Sequence, residues 1–402
     1  MLHKLPGEII VGFAGFGGMC EGFRKALGVS PTIAINHWDH AIKLHTLNHP
    51  ETQHFQEDVH AVDLVAALEE RKAWWIHVSP DCTHFSKAKG GKPRDQKIRG
   101  LAWVLVEWAR KTSAQVLSLE NVIELVGWSA LGPDGYPIKG QEGWEFQRFC
   151  QALRDLGYVI EWRELDSADF GAATRRKRLF VMMRRDGQPI VWPTPTHGPG
   201  RIPYQTFRGC VDWSVEAPSI FGRKKDLADS TCRRVAKGLM RFARPTLTTP
   251  DILAWVGKHY TGVTGHHLDR PIGTITATDH HSLCTAELGS PEDPRAQVVG
   301  AFISSFYSGG GTASSIDCPL PTIVATARHA LVVLRGEGKA VVDIGFRMLT
   351  PRELARAQGF DDSYILQGTI AQQIRCIGNA VVPQVAEALI RANAPQPLVS
   401  AA

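Results

Sequence analysis

None of the eight cysteines in this 402-residue chain pairs with another as C-x-x-C, so a structural zinc site is not expected. His266, His267, His280 and His281 are close together but lack paired ligand spacing, and no metal is expected from them. No apolar run is long enough to span a bilayer, which argues against a membrane helix. The opening Met-Leu-His-Lys-Leu-Pro lacks the apolar core and cleavage site of a secretory signal. A soluble protein of a reducing compartment, with free thiols, is the expectation.

What is present is enough for a large core. Charged residues make up 21% and hydrophobic ones 44% of the chain, so disorder is not the default and two domains are expected. The formal charge is only +5, yet the cations cluster. Lys87, Lys89, Lys92, Arg94, Lys97 and Arg99 form one run, Arg175 to Arg178 a second, and Arg233, Arg234 and Lys237 a third. Dense local Lys and Arg suit a polyanion, although any one run alone reads as a solvated face.

From Glu8 to about Arg185, short β-branched runs alternate with helical patterns, as a doubly wound α/β sheet requires. Strands are predicted at 8–13, 32–36, 74–78, 115–119, 159–165 and 178–183, with helices over 20–27, 62–71, 101–111 and 144–156. Phe146, Phe149, Cys150 and Leu153 form one apolar helical face. Four prolines between Pro193 and Pro203 then break the pattern, and short β-like segments follow. Helices are predicted again over 351–358 and 384–394. The second region holds an internal repeat in which Asp269, Pro271, Thr274, Ile275, Ala277, Thr278, His281 and Leu283 match Asp317, Pro319, Thr322, Ile323, Ala325, Thr326, His329 and Leu331. Two copies are too few for a solenoid and suggest a duplicated β unit.

Phe13-Ala-Gly-Phe-Gly-Gly18 joins the first strand to the first helix; Gly15, Gly17 and Gly18 there permit a sharp turn and close approach of a ligand. The same composition serves a structural turn. His37-Trp38 ends the second strand, and Asp58-Val59 lies in a following loop. An indole can stack on adenine and a carboxylate can accept from an exocyclic amine, whereas a packed Trp and a solvated Asp are the bland alternative. Pro80-Asp81-Cys82-Thr83-His84-Phe85-Ser86 follows another strand. A cysteine there, beside a basic loop, can present a nucleophilic thiolate, although most cysteines are small buried hydrophobes. Glu120-Asn121 ends the next strand, at the same sheet edge as Cys82. A thiol and a carboxyl on adjacent strand ends suggest an acid-assisted nucleophile.

The ordered set of the glycine loop, Cys82–Ser86, Glu120–Val122, Arg175–Arg178, Arg347–Phe360 and Ile377–Pro383 resembles the DNA cytosine-5 methyltransferase family, and within it the stand-alone enzymes of phages and prophages. The resemblance implies a Rossmann-like S-adenosylmethionine-dependent methyltransferase sheet with a smaller β-rich target-recognition domain. It places residues 1–185 and 336–402 in the catalytic domain and 186–335 in target recognition. Cys82, Glu120, Arg176 and Arg178 become catalytic. Phe13, Gly15, Gly17, Gly18, His37, Trp38, Asp58, Val59, Asn379 and Val381 become the S-adenosylmethionine site, and Pro80, Ser86, Lys89, Lys92 and Asn121 contact the substrate. The implied partner is double-stranded DNA, bound by a monomer in the cytoplasm of a bacterial or phage-infected cell, with one base flipped from the helix. The segment after Ser86 resembles the family's mobile catalytic loop.

Three positions depart from the family's usual pattern. Asp81 separates Pro80 from Cys82, and a carboxylate there is expected to raise the thiol pKa unless cations compensate. His37 stands where a Glu is common, and Thr174 where a Gln is common. Rival readings are a transfer-RNA cytosine-5 methyltransferase, which shares the catalytic residues, and a non-catalytic DNA-binding protein, which the intact Cys82, Glu120 and Arg178 disfavour. A nicotinamide oxidoreductase accounts for the glycine loop alone.

Overall fold

β1 (Glu8–Gly12) is buried from Ile9 onward, because it is apolar on both faces, as a central parallel strand covered by helices must be. The computed structural model describes residues 5–82, 85, 100–225, 227, 231–232, 235, 252–258, 265–277, 281–289, 301–305, 312–315, 329–333 and 340–395. After β1 come α1 (Gly18–Leu27), β2 (Ile33–Ile35), α2 (Asp39–Asn48), β3 (Gln53–Phe55), α3 (Leu64–Leu68), β4 (Ala73–Val78), α4 (Val104–Thr112), β5 (Val116–Asn121), α5 (Trp144–Arg154), β6 (Val159–Asp166) and β7 (Lys177–Arg184). The strands form one sheet in the order β3-β2-β1-β4-β5-β7-β6. β1 to β5 run parallel, and β7 is antiparallel to both β5 and β6. Ile10, Ile76 and Trp108 pack on one face, whereas Ile9, Val11 and Phe23 pack on the other.

The expected helices and strands are present, with edges moved by local chemistry. α3 is shorter than the 62–71 expected. Asp63 caps its start by accepting from the Val65 and Ala66 N–H groups, and Glu69 and Glu70 take left-handed φ of 47° and 69° at its end. β3, α2 and a helix at 370–379 were not predicted from the sequence. α2 turns His45 inward beside Leu44 and Ala41, so its buried face is partly polar and the apolar period is masked.

Two compact units divide the chain: residues 1–205, 273–278 and 354–402 in the first, 206–272 and 279–353 in the second. The first is completed by α7 (Ile370–Asn379) and α8 (Pro383–Asn393), while α6 (Pro351–Gln358) spans the boundary at 353/354. α7 opens with a capping box in which Thr369 and Gln372 satisfy each other's backbone N–H. α8 and the residues leading into it lie close on α1: a Cβ on Gly18 would fall on the carbonyl of Val381, just before α8, and one on Gly22 would overlap that of Ala386 within it.

In the second unit, β8 (Ile252–Lys258), β9 (Gly265–His267), β10 (His281–Gly289) and β14 (Ala340–Met348) form an antiparallel sheet ordered β9-β8-β10-β14. β11 (Ala301–Ser305), β12 (Thr312–Ser315) and β13 (His329–Val333) form another, with β11 in the middle. β14 pairs with β10 over Ala340–Met348, so the chain stays in this unit beyond residue 336 and returns to the first at 354. Likewise, residues 186–205 belong to the first unit, where the Asn393 side chain bonds both the N–H and the carbonyl of Val191. Among the described residues no helix is long and apolar enough to cross a membrane, and no group of three or more His, Cys, Asp or Glu could hold a metal ion.

A buried ion pair anchors β14. Arg347 donates to both Glu353 oxygens at 2.7 and 2.8 Å, and the Thr350 and Asp212 N–H groups donate to the same carboxylate. Burial pushes the Glu353 carboxyl up, but Arg347 and the two N–H groups outweigh it and hold it below its ordinary value. Ionised Glu353 therefore stabilises the fold above the ordinary carboxylate range, and that contribution fades as pH falls below about 4.5. Glu353→Gln should cost about 3–5 kcal/mol, the usual effect of stranding one member of a buried pair. Denaturant titration at neutral and acidic pH checks this: the variant's deficit should shrink with acidification, and a constant deficit would contradict it.

Candidate functional site

The order β3-β2-β1-β4-β5 reverses direction between β1 and β4, and open sheets of this type bind ligands outside the carboxyl ends of strands at such a crossing. Each expected functional loop leaves the sheet at that edge. The β1 loop turns on Phe13 and Gly15, with φ of 56° and 54°; among the described residues the space beside Gly15 is open, with only the Phe13 carbonyl within 4 Å of a would-be Cβ. Gly17 and Gly18 are small for a different reason than ligand approach. A Cβ on Gly17 would meet the Tyr364 hydroxyl at 2.5 Å and His49 Nε2 at 3.0 Å, and Gly18 is pressed by Val381. Both histidines under this loop, His45 and His49, are pushed down by burial, His49 to about 4, so they pack as neutral rings.

Trp38 is half-buried after β2, its N–H held by the Asn36 side chain at 2.9 Å. The Arg375 guanidinium of α7 lies over its ring at 4.5 Å. His37 and Asp58 are exposed and Val59 is buried; Asp58 accepts from the His60 N–H at 2.9 Å. Asn379 is exposed, whereas Val381 is buried with its carbonyl against α1.

β4 and β5 are parallel neighbours, which brings Cys82 and Glu120 together as the strand-end placement anticipated. Asn121 ties the two ends: its side-chain amide donates to the Pro80 carbonyl at 2.9 Å. Pro80 and Asn121 are thus buried supports of the Cys82 turn. From the start of β7, Arg178 reaches Glu120 at 3.3 Å. Arg176 is almost fully buried, its guanidinium donating to the Ile275 carbonyl at 3.1 Å while Nε has no hydrogen-bond partner among the described residues. Glu120, Arg176, Arg178 and Phe180 line a small cavity closed by Val381, Val382 and Val385. Ser86, Lys89 and Lys92 lie outside the described residues.

The electrostatics of this cluster are balanced rather than one-sided. Burial raises the Cys82 thiol, Arg178 lowers it, Glu120 raises it, Arg176 lowers it and Asp81 raises it, and the net direction is up. Burial and the like charge of Arg178 pull the Arg176 guanidinium well below its usual value, against Glu120 and Cys82. Arg375 and Ile275 were missed at the sequence level. Arg375 sits one helical turn before Asn379, but α7 was not predicted, and a backbone carbonyl leaves no residue signature.

Residues 9–216 and 305–394 match the family described as C-5 cytosine-specific DNA methylase. The chain belongs to that family. The type II methyltransferase M.Sau3AI of Staphylococcus aureus is 26% identical over 396 residues, covering 93% of this chain and 92% of its own. M.AgeI of Thalassovita gelatinovora is 23% identical over 436 residues, covering 94% and 96%. Among solved structures, a prophage-encoded protein described as a DNA modification methyltransferase (E. coli) superposes with TM-score 0.55 at 17% identity, covering 97% of this chain and 98% of its own. A DNMT2 variant of Spodoptera frugiperda gives 0.55 at 14%, covering 96% and 98%. Those two likenesses establish the methyltransferase fold.

For this enzyme the signs above yield a measurable consequence. Asp81→Asn and Glu120→Gln should each speed alkylation of Cys82 by iodoacetamide near neutral pH by severalfold, because each removes an anion that opposes the thiolate. Peptide mass spectrometry reads the rate at Cys82, and unchanged or slower rates in both variants would refute the balance described.

Proposed function

We propose that the enzyme methylates carbon 5 of a cytosine flipped out of double-stranded DNA, using S-adenosylmethionine and a transient Cys82–C6 bond. The observation that carries this reading is the meeting of Cys82 and Glu120 at adjacent strand ends, with Arg178 on the carboxylate. The glycine loop, Trp38 and Asp58 fit the cofactor. They offer an open turn at Gly15, an indole for adenine and a carboxylate for its amine, all along one sheet edge. Bound S-adenosylmethionine would supply the electrophilic methyl group.

The chain's own residues prepare the base. Cytosine C6 is a poor electrophile, so addition of the Cys82 thiolate needs relief of the charge that develops on the ring. Once Arg178 turns from the carboxylate to donate to O2, Glu120 can take up a proton and give it to N3, with Arg176 beside it. The C6 adduct turns C5 into a nucleophilic enamine carbon. After C5 is methylated, loss of its proton and expulsion of Cys82 restore aromaticity. Because Arg178 holds Glu120 in the structure described, base entry has to redirect this arginine toward O2. The second unit, antiparallel and outside the methylase sheet, is read as the part that chooses the target, with an enzyme monomer on the DNA.

Cys82→Ala should abolish methyl transfer while leaving cofactor affinity near wild type. Transfer of label from S-adenosylmethionine to duplex DNA and, in parallel, to transfer RNA checks both chemistry and polymer; labelled RNA with unlabelled DNA would reverse the choice of substrate. Trp38→Ala should weaken cofactor binding by about 1–3 kcal/mol, the range for losing an aromatic stack on a base. Calorimetry showing no change would make the indole a packing residue.

A further inference from the structure

The internal repeat is not accounted for by the chemistry above, and its first copy lies where it can affect that chemistry. Most of residues 206–353 form the second unit, yet 273–278 belong to the first. This short segment lies along Thr174–Arg176. The Thr174 hydroxyl donates to the Gly273 carbonyl at 3.2 Å, the Thr274 hydroxyl to the Arg175 carbonyl at 2.9 Å, and Arg176 to the Ile275 carbonyl at 3.1 Å. Ile275 is fully buried. On its other side the segment touches the end of α7, where a Cβ on Gly378 would overlap the Thr276–Ala277 peptide.

We propose that Gly273–Ala277 is a positioning strap that fixes the Arg176 guanidinium in the cavity shared by Glu120 and Arg178. The Ile275 carbonyl is the only partner described for that guanidinium, so displacing the strap leaves a buried cation without its anchor. A buried charge stripped of its partner moves or drags its surroundings. Thr174 and Thr274 lock the strap to the arginine segment from both directions, and Gly378 gives it room. Arg176 is in turn one of two cations that favour the Cys82 thiolate over its neighbouring anions. The repeat thus supplies a support for the reacting groups in its first copy, Thr274, Ile275 and Ala277; the matching Thr322, Ile323 and Ala325 lie outside the described residues.

The proposal rests on the assignment of Cys82, Glu120 and Arg178 to the reacting centre, and its test has a readout that does not need methyl transfer. The pH dependence of Cys82 alkylation and the steady-state constants would be measured for wild type, Thr174→Val/Thr274→Val and Gly378→Ala. Arg176→Gln serves as the reference for loss of the cation. Both strap variants should shift the alkylation midpoint upward, toward that of Arg176→Gln. They should lower kcat about tenfold or more, the scale of effect for a misplaced catalytic group, with KM for the cofactor changed less than about twofold. Thr174→Ser/Thr274→Ser, which keeps both hydroxyls, should restore kcat and the midpoint. A wild-type alkylation profile in both strap variants overturns the proposal, whether or not kcat and Tm fall, because a scaffold role alone would leave Cys82 titrating as before. If the double variant does not fold, Thr274→Val alone decides by the same criterion.

Discussion

The close approach of α8 and the residues before it to α1 is the constraint on which most of the first unit depends. Two helices can come this near only where side chains are missing, and Gly18 and Gly22, one turn apart, provide the gap that Val381 and Ala386 fill. The contact brings a segment more than 350 residues later in the chain against the first helix. It fixes the start of α1, and with it the glycine loop that precedes that helix. Val381 and Val382, which lead into α8, and Val385 in its first turn lie along the cavity lined by Glu120, Arg176 and Arg178. One packing contact therefore sets both the floor of the glycine loop and a wall of the cavity lined by Glu120, Arg176 and Arg178.

The charged groups of the pocket show why such support is needed. A thiol, a carboxylate and two guanidinium groups share a largely buried space, and the charges of Glu120 and Arg178 act on both the Cys82 thiol and the Arg176 guanidinium. In water their positions would fluctuate and the interactions would be screened. Inside the protein, a small displacement of one cation changes the charge balance at Cys82, since burial strengthens every pairwise interaction. The structure meets this with backbone anchors: Asn121 on Pro80, Ser167 on the Arg176 N–H at 2.9 Å, and Ile275 on the Arg176 guanidinium.

The glycine loop also shows how one composition can hide two causes. Only Gly15 combines a left-handed φ with open space around it. Gly17 adopts a left-handed φ and is also crowded by Tyr364 and His49, and Gly18 leaves room for the Val381 backbone. A fingerprint of glycines is therefore compatible with ligand approach at one position and with protein packing at the next, and the sequence alone does not separate them.

The sequence by itself determined strands β1, β2 and β4 to β7, helices α1 and α3 to α5 among them, the apolar face of α5, and the positions of Cys82 and Glu120 at adjacent strand ends. Those features depend on local periodicity and on strand-terminal placement, which a chain carries in its residue order. It missed α2, where His45 interrupts the apolar stripe, and β3, which is only three residues long. Only the tertiary structure decided that Arg178 pairs with Glu120, that Arg375 covers Trp38, and that the repeat's first copy leaves its own unit to hold Arg176. Each of these joins residues far apart in the chain, and the last acts through a backbone carbonyl that every residue possesses. Which carbonyl meets which cation is set by the path of the packed chain, so no pattern of side chains could have announced it.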